Sequence, residues 1–420
     1  MVSSPSSPTL RDAALGGPGE TLKRMPTVLS GLDRWIADGG STVDLGTGSR
    51  LGVVAHPASV DRGGRHIIDW LNASRDYRIA RIFAPEHGLW GHEQDMEPVS
   101  ESMDAWTGLP VVSLYGTDRA SLRPRPEHLT GLDAIVVDLQ DVGSRYYTFI
   151  YTLSYVMNAA AEAGVPVIVL DRPNPIGGET VEGPVLDPAL SSFVGRYPLP
   201  VRHGMTIAEL AGLFRSRHGA SCDLNVVPMK GWRRSMQFEE TGLPWVPPSP
   251  NMPTTATARV YPGGCLVEGT NLSEGRGTTL PFEFVGAPWI DGRDLAARAS
   301  DARLAGVLFR PTSFRPMFQK HAGEACGGVH VIVTDHRAFR PFSTYLVLIR
   351  EARALDARRF AWRTETYEFE TERPAIDYLL GIDGLREMLE RGATEDEMEA
   401  TWHAGTESFR TTRNEFLLYD

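Results

Sequence analysis

Three cysteines in 420 residues, Cys222, Cys265 and Cys326, are too isolated and odd in number to form a disulfide framework. None has metal-ligand spacing, so they read as small buried residues of a chain kept in reducing surroundings. Positive charge is also short, with 42 Lys and Arg against 53 Asp and Glu and a net charge of −11. A nucleic acid or an anionic membrane as partner would demand the opposite balance, although one or two arginines suffice for a small anion. No run approaches the ~18 apolar residues of a membrane span. Residues 1–25, rich in Ser, Pro and Gly, lack the apolar core of a signal peptide and are expected to be a disordered leader. As written the chain is therefore expected to be cytoplasmic, with export requiring a different start site. Missing too are a Gly-x-Gly-x-x-Gly turn, a Gly-x-x-x-x-Gly-Lys-Ser/Thr loop, and His-x-His or His-Glu-x-x-His spacing. No phosphate cradle, cofactor or metal is expected on that ground.

What is present is a series of short, apolar, β-branched runs: Leu51–Ala55, Ile79–Ala84, Val111–Leu114, Ala134–Val137 and Val165–Leu170. Helix-compatible stretches separate most of them. The clearest is Thr148 to Ala163, with Gly164 as its stop, and a second opens at Thr206 with a capping box to Glu209. Strands alternating with helices predict an α/β fold with a Rossmann-like, mostly parallel sheet. The length allows a second core. Residues 26–230 are expected to form the Rossmann-like domain, and 231–420 a smaller C-terminal α+β domain packed on it. Between them, the proline-rich Leu243–Pro253 reads as an ordered connection. The glycine-rich run from Tyr261 to Thr278 reads as a polar loop.

Every expected strand ends in polar residues, and in open parallel sheets chemistry gathers beyond those ends. Pro85-Glu86-His87-Gly88 puts a carboxyl next to a buried strand and beside Phe83 and Trp90, the desolvated setting a general acid needs. Asp138-Leu-Gln-Asp141-Val-Gly143-Ser-Arg145-Tyr146-Tyr147 offers two carboxylates, a guanidinium fork and two flat rings. Asp141, farther from the strand and beside Gly143, is the better ligand-facing acid, whereas Asp138 suits a buried brace. Asp171-Arg172-Pro173-Asn174-Pro175 ends the last of these strands.

These motifs, with Glu182-Gly-Pro184, Pro248-Ser-Pro-Asn251-Met-Pro253 and Glu268-Gly-Thr-Asn271-Leu-Ser-Glu274-Gly-Arg276-Gly-Thr278, resemble the NamZ-type exo-β-N-acetylmuramidases from about Leu51 to the C-terminus. The resemblance implies a glycoside hydrolase that releases N-acetylmuramic acid from the non-reducing end of peptidoglycan fragments, in a cleft between two domains. It carries the family's catalytic glutamate onto Glu86. Glycoside hydrolysis needs a second group as base or nucleophile, and Asp141, Asp138 and Glu268 are the candidates, with Asp141 preferred. His87, Asp138, Arg145, Tyr146, Tyr147, Asp171, Asn174, Asn251, Glu268, Asn271 and Arg276 are the expected substrate contacts. Arg145 and Arg276 are expected to read the lactyl carboxylate, and Arg172 to brace Asp171. Two other readings remain: a metal-dependent hydrolase built on Glu86, His87, His92, Asp141 and Asp171, and a muropeptide-binding protein without turnover.

Overall fold

The computed structural model describes residues 28–38 and 45–420. The expected leader lies outside the described residues. The first helix, Gly31–Ala37, is capped by Ser30, whose hydroxyl accepts from the Asp33 N–H while the Asp33 carboxylate accepts from the Ser30 N–H. Seven strands form one sheet: β1 (Ser49–Ala55), β2 (Tyr77–Ala84), β3 (Ser102–Met103), β4 (Pro110–Ser113), β5 (Ala134–Asp138), β6 (Val167–Leu170) and β7 (Leu224–Val227). Their order is β3-β4-β2-β1-β5-β6-β7, and only β3 runs antiparallel to its neighbour. From β1 the chain winds outward through β2 to β4, then returns to β5 and winds the other way to β7. This is the doubly wound order of a Rossmann-like sheet.

The continuous apolar runs follow from burial on both faces. Along β5, Ile135 and Val137 join one apolar cluster while Ala134 and Val136 join the other, and β6 alternates in the same way. On one face lie the helices Gly31–Ala37 and Ile67–Asn72, and on the other lie Phe149–Ala163 and Ile207–Arg217. Two strands go beyond the sequence expectation. β7 is interrupted by polar Asn225, and β3 is a two-residue edge.

The second half holds an antiparallel sheet of β8 (Phe284–Ala287), β9 (Val307–Phe314) and β10 (Cys326–Val333), in the order β8-β10-β9. Helix Gly292–Asp301 packs with it, and helix Pro341–Leu355 packs against that helix and against Thr255–Gly264. The glycine-rich run expected as loop from Tyr261 begins inside helix Thr255–Gly264, which tolerates Pro262 near its end, and passes into a short 3-10 turn over Cys265–Gly269. One apolar cluster extends from Val137 and Ile150 to Val285, Phe342 and Ile376, so the two halves share a core.

Two buried carboxyls tie distant parts of the fold together. Asp171, at the end of β6, accepts from the hydroxyls of Thr206 (2.9 Å) and Tyr419 (2.5 Å) and from the Ala208 N–H (3.0 Å). Glu182 accepts from the Phe342 and Ser343 N–H groups at the start of helix Pro341–Leu355. Burial pushes both carboxyls up to about 7. A raised folded-state value means that the unfolded chain releases its proton first, so their contribution to stability falls as pH rises from about 4.5 to about 7. For Glu182 the shift corresponds to roughly 3 kcal/mol. Glu182→Gln keeps an acceptor for the two N–H groups. Relative to wild type it is expected to be markedly more stable at pH 7.5 than at pH 5. Thermal melts at the two pH values check this, and an unchanged difference between variant and wild type refutes it.

Candidate active site

The crevice between the ends of β1 and β5, where such sheets usually bind ligands, is filled in this protein. His56, fully buried, accepts the Gln140 N–H at Nε2 (2.8 Å) and donates from Nδ1 to the Pro248 carbonyl (3.3 Å). Burial lowers its imidazole to about 3, so the plug is uncharged. The open space lies to one side, above the ends of β2 and β5 and under the second half of the chain.

Glu86 enters that space one residue after Pro85. The backbone then turns sharply through His87 at φ +71° and Gly88 at φ +79°. A left-handed histidine costs on the order of 1–2 kcal/mol and persists only where its surroundings impose it. The Glu86 side chain is buried, and its Oε2 accepts from the Thr148 hydroxyl at 2.6 Å, at the N-terminus of helix Phe149–Ala163. His87 donates from Nδ1 to the Glu93 carbonyl (2.9 Å).

A second buried carboxyl comes from the far half of the chain. Glu368 at φ +48° and Phe369 at φ +70° form a turn of two consecutive left-handed residues, closed by the bridge between Tyr367 and Glu370. Glu368 accepts from the Tyr115 hydroxyl at 2.9 Å, just beyond β4. Burial, reinforced by the negative charge of Glu86, pushes the Glu368 carboxyl well above its ordinary value. No cation lies within ion-pair distance of either Glu86 or Glu368 among the described residues.

The third carboxylate in the wall is paired. Glu268 meets Arg276 Nη2 at 2.9 Å and accepts from the Tyr367 hydroxyl at 2.8 Å. Arg276 is held besides by Asp95 (3.1 Å) and Glu274 (3.4 Å), and Glu274 in turn by Lys320 (2.9 Å). Three consecutive residues of the β2–β3 connection, of which Asp95 lines the cavity, are tied to the second half of the chain. Gln94 accepts from Asn251 (2.9 Å), Asp95 from Arg276 and from Gln319 (3.0 Å), and the Met96 sulfur from Arg363 (3.5 Å). The enclosed space is about 40 Å³, room for a few waters.

Of the sequence-derived candidates, Glu86, His87, Tyr146, Tyr147, Asn251, Glu268 and Arg276 line the cavity. The others brace it. Asp138 is fully buried in a bidentate pair with Arg172 (2.5 and 2.7 Å), so Arg172 supports Asp138 rather than Asp171. Asp141 turns inward to the Gly143 N–H (2.8 Å) and lies 3.4 Å from His203, away from the lining. Arg145 is fully buried and donates only to main-chain carbonyls. Asp171 is held as described above. Asn174 donates to the Met205 carbonyl and accepts the Ile176 N–H. A side chain at Gly143 (φ +82°) would meet Asn174 at 2.4 Å, which fixes glycine there. Asn271 clips the Arg359–Ala361 backbone. Sequence reasoning missed Glu368, Asp95, Tyr115 and Tyr367. Only Tyr115 carried a signal, as a polar residue directly after an expected strand.

Two family models match the chain: exo-beta-N-acetylmuramidase NamZ, N-terminal, over residues 51–256, and its C-terminal counterpart over 259–419. The chain is 41% identical over 411 residues to the peptidoglycan beta-N-acetylmuramidase NamZ of Bacillus subtilis strain 168, covering 98% of this chain and 96% of that one. Two solved structures of DUF1343 family proteins from Bacteroides fragilis are similar. One has a TM-score of 0.83 and 31% identity over 94% of this chain and all of its own. The other has a TM-score of 0.71 and 29% identity over 94% and 99%.

Proposed function

The chain belongs to the exo-β-N-acetylmuramidase NamZ family, and from that premise we propose that it removes N-acetylmuramic acid from the non-reducing end of peptidoglycan fragments. The observation that supports this chemistry most directly is the pair of buried carboxyls, Glu86 and Glu368, facing one cavity without a cation to neutralise either. Two like charges brought together disfavour double ionisation, and burial with the Glu86 charge pushes the Glu368 carboxyl well above its ordinary value, which suits it to the acid's part. Glycosidic cleavage uses such a pair: one carboxyl protonates the leaving oxygen as the C1–O bond breaks. The other, ionised, either deprotonates the attacking water or bonds to C1 itself. Glu86, one hydrogen bond from Thr148, takes the second part in this assignment. That exchanges the acid's part expected of it from sequence with Glu368.

Asp141 is not part of this pair, because its carboxylate is committed to Gly143 and faces His203. The glutamates come one from each half, so the halves, taken as a catalytic and a closing domain, must be together for turnover. The substrate is a peptidoglycan-derived saccharide, and no helix among the described residues is long and apolar enough to cross a membrane. A binding protein without turnover would have no use for two buried, unneutralised carboxyls in one cavity.

The metal-dependent alternative is weakened by geometry. Among the described residues no three His, Cys, Asp or Glu side chains converge as metal ligands, and His87, Asp141 and Asp171 are each turned to other partners. Dialysis against a chelator is expected to leave hydrolysis of a chromogenic muramide unchanged. Activity lost to the chelator and restored by one divalent ion would replace the carboxylate pair with metal chemistry.

A further inference from the structure

N-acetylmuramic acid differs from N-acetylglucosamine by a lactyl ether ending in a carboxylate. On the reading given above, that anion must enter a cavity whose walls carry Glu86, Asp95, Glu268 and Glu368. Arg276 is the one guanidinium in that wall among the described residues, and three carboxylates already hold it. Arg145, the other arginine expected to read the lactyl group, is sealed among carbonyls. Arg119 is paired with Glu370, and the Lys320 ammonium with Glu274 and two carbonyls. An anion entering this site needs a cation that none of these supplies.

Arg363 stands apart from them. It is half-buried, and no carboxylate lies within ion-pair distance of it among the described residues. Its guanidinium has only two polar contacts, both at 3.5 Å: the Met96 sulfur and the Thr366 carbonyl. That distance is marginal, and a thioether is a weak acceptor. A half-buried guanidinium with five donors and such poor partners can exchange them for an anion at small cost. Its backbone is firmly placed, since the Arg363 N–H donates to the Gly269 carbonyl and its own carbonyl accepts from Ala375. The guanidinium lies over the ring of Tyr367, 5.2 Å from the centroid, and the hydroxyl of that ring reaches Glu268 in the cavity wall. It also borders a surface groove of about 420 Å³ lined by Asn271, Gln319 and His321. Met96, its weak partner, belongs to the Gln94–Met96 connection.

We propose that Arg363 is the specificity cation of the site, taking the lactyl carboxylate of the terminal sugar in place of the Met96 sulfur when the Gln94–Met96 connection lifts. Carboxylate and guanidinium form a bidentate pair that the substrate's hydroxyls cannot imitate. A glucosaminide, lacking the carboxylate, gains no such contact.

The test uses the full-length protein and three chromogenic substrates: the muramide, its lactyl methyl ester, and the glucosaminide. Wild type is expected to prefer the free acid over the ester. Arg363→Ala is expected to lower kcat/KM on the free acid at least about 30-fold, mainly through KM, the lower end for truncating one partner of a charge pair. The acid-to-ester ratio should fall toward one, and Arg363→Lys should restore part of it. If Arg363→Ala keeps the wild-type ratio, another group reads the lactyl carboxylate and the proposal fails. A wild-type enzyme that does not cleave the muramide removes instead the reading on which this rests, and the proposal with it. Far-ultraviolet dichroism and melting of each variant separate lost recognition from lost fold.

Discussion

Glu86→Gln is expected to leave the protein folded and to lower kcat on every muramide substrate by at least ~10²-fold, the usual scale of acid–base assistance. Glutamine preserves the size of the side chain and the acceptor for the Thr148 hydroxyl, so the loss reports on charge and not on packing. Glu368→Gln is expected to behave differently. If Glu368 supplies the proton, its loss matters most when the leaving group is poor. The natural saccharide should then suffer by ~10²-fold or more, and an aryl glycoside, which leaves without protonation, far less. The same variant should lose the basic limb of the pH profile, since in wild type activity falls as pH rises through the raised Glu368 value and the acid ionises. It should also melt higher than wild type at neutral pH. The folded state holds that proton more tightly than the unfolded chain does, so an ionisable Glu368 destabilises the fold increasingly above the ordinary carboxyl range. Steady-state kinetics on the two substrate types checks the assignment. Near-wild-type turnover by Glu86→Gln would sink the pair altogether. Leaving-group sensitivity appearing in Glu86→Gln instead would return the acid's role to Glu86.

These buried carboxyls also show why one of them was legible in the sequence and the other was not. Glu86 follows an uninterrupted apolar run, and the run is continuous because helices cover both faces of the sheet. Strand, end and polar residue could therefore be read in order, and so could the Thr206 capping box and the Gly164 stop, at φ +66°. Glu368 lies in Tyr367-Glu-Phe-Glu370, an alternation that resembles an exposed strand and belongs to no strand end. Only the packing of the second half over the first makes it a neighbour of Glu86. The reverse error affected Asp141, Arg145, Asp171 and Asn174. A polar loop beyond a strand contains residues that face the ligand and residues that hold the loop, and spacing does not separate them. His56 adds a further displacement. By filling the crevice between β1 and β5 it moves the cavity toward β2, so residues nearest the usual binding position became braces.

The largest stability effect is expected at one of those braces. Arg145 has no exposed surface and, among the described residues, no carboxylate within ion-pair distance. Its guanidinium donates to the carbonyls of Pro184 (2.7 Å) and Leu199 (3.1 Å) in the first half, and of Leu379 (2.7 Å) and Leu380 (3.3 Å) in the second. The last two are terminal carbonyls of helix Ala375–Leu380, which have no intrahelical partner, so Arg145 caps that helix from across the molecule. Glycine at 381 (φ +77°) lets the guanidinium approach, because an added Cβ there would lie 2.5 Å from it. Arg145→Ala takes the side-chain donor from the buried carbonyls of Pro184, Leu379 and Leu380, Leu199 keeping the Leu186 N–H, and opens a cavity, at an expected cost of about 3–5 kcal/mol. Arg145→Lys should recover only part of this, since one ammonium cannot span two pairs of carbonyls. Arg123, whose pair with Glu162 is solvent-exposed, provides the contrast, and Arg123→Ala should change stability by less than ~1 kcal/mol. Denaturant unfolding of the three variants gives the comparison. If Arg145→Ala unfolds at the same midpoint as Arg123→Ala, the guanidinium is not the tie between the halves that its four carbonyl contacts imply.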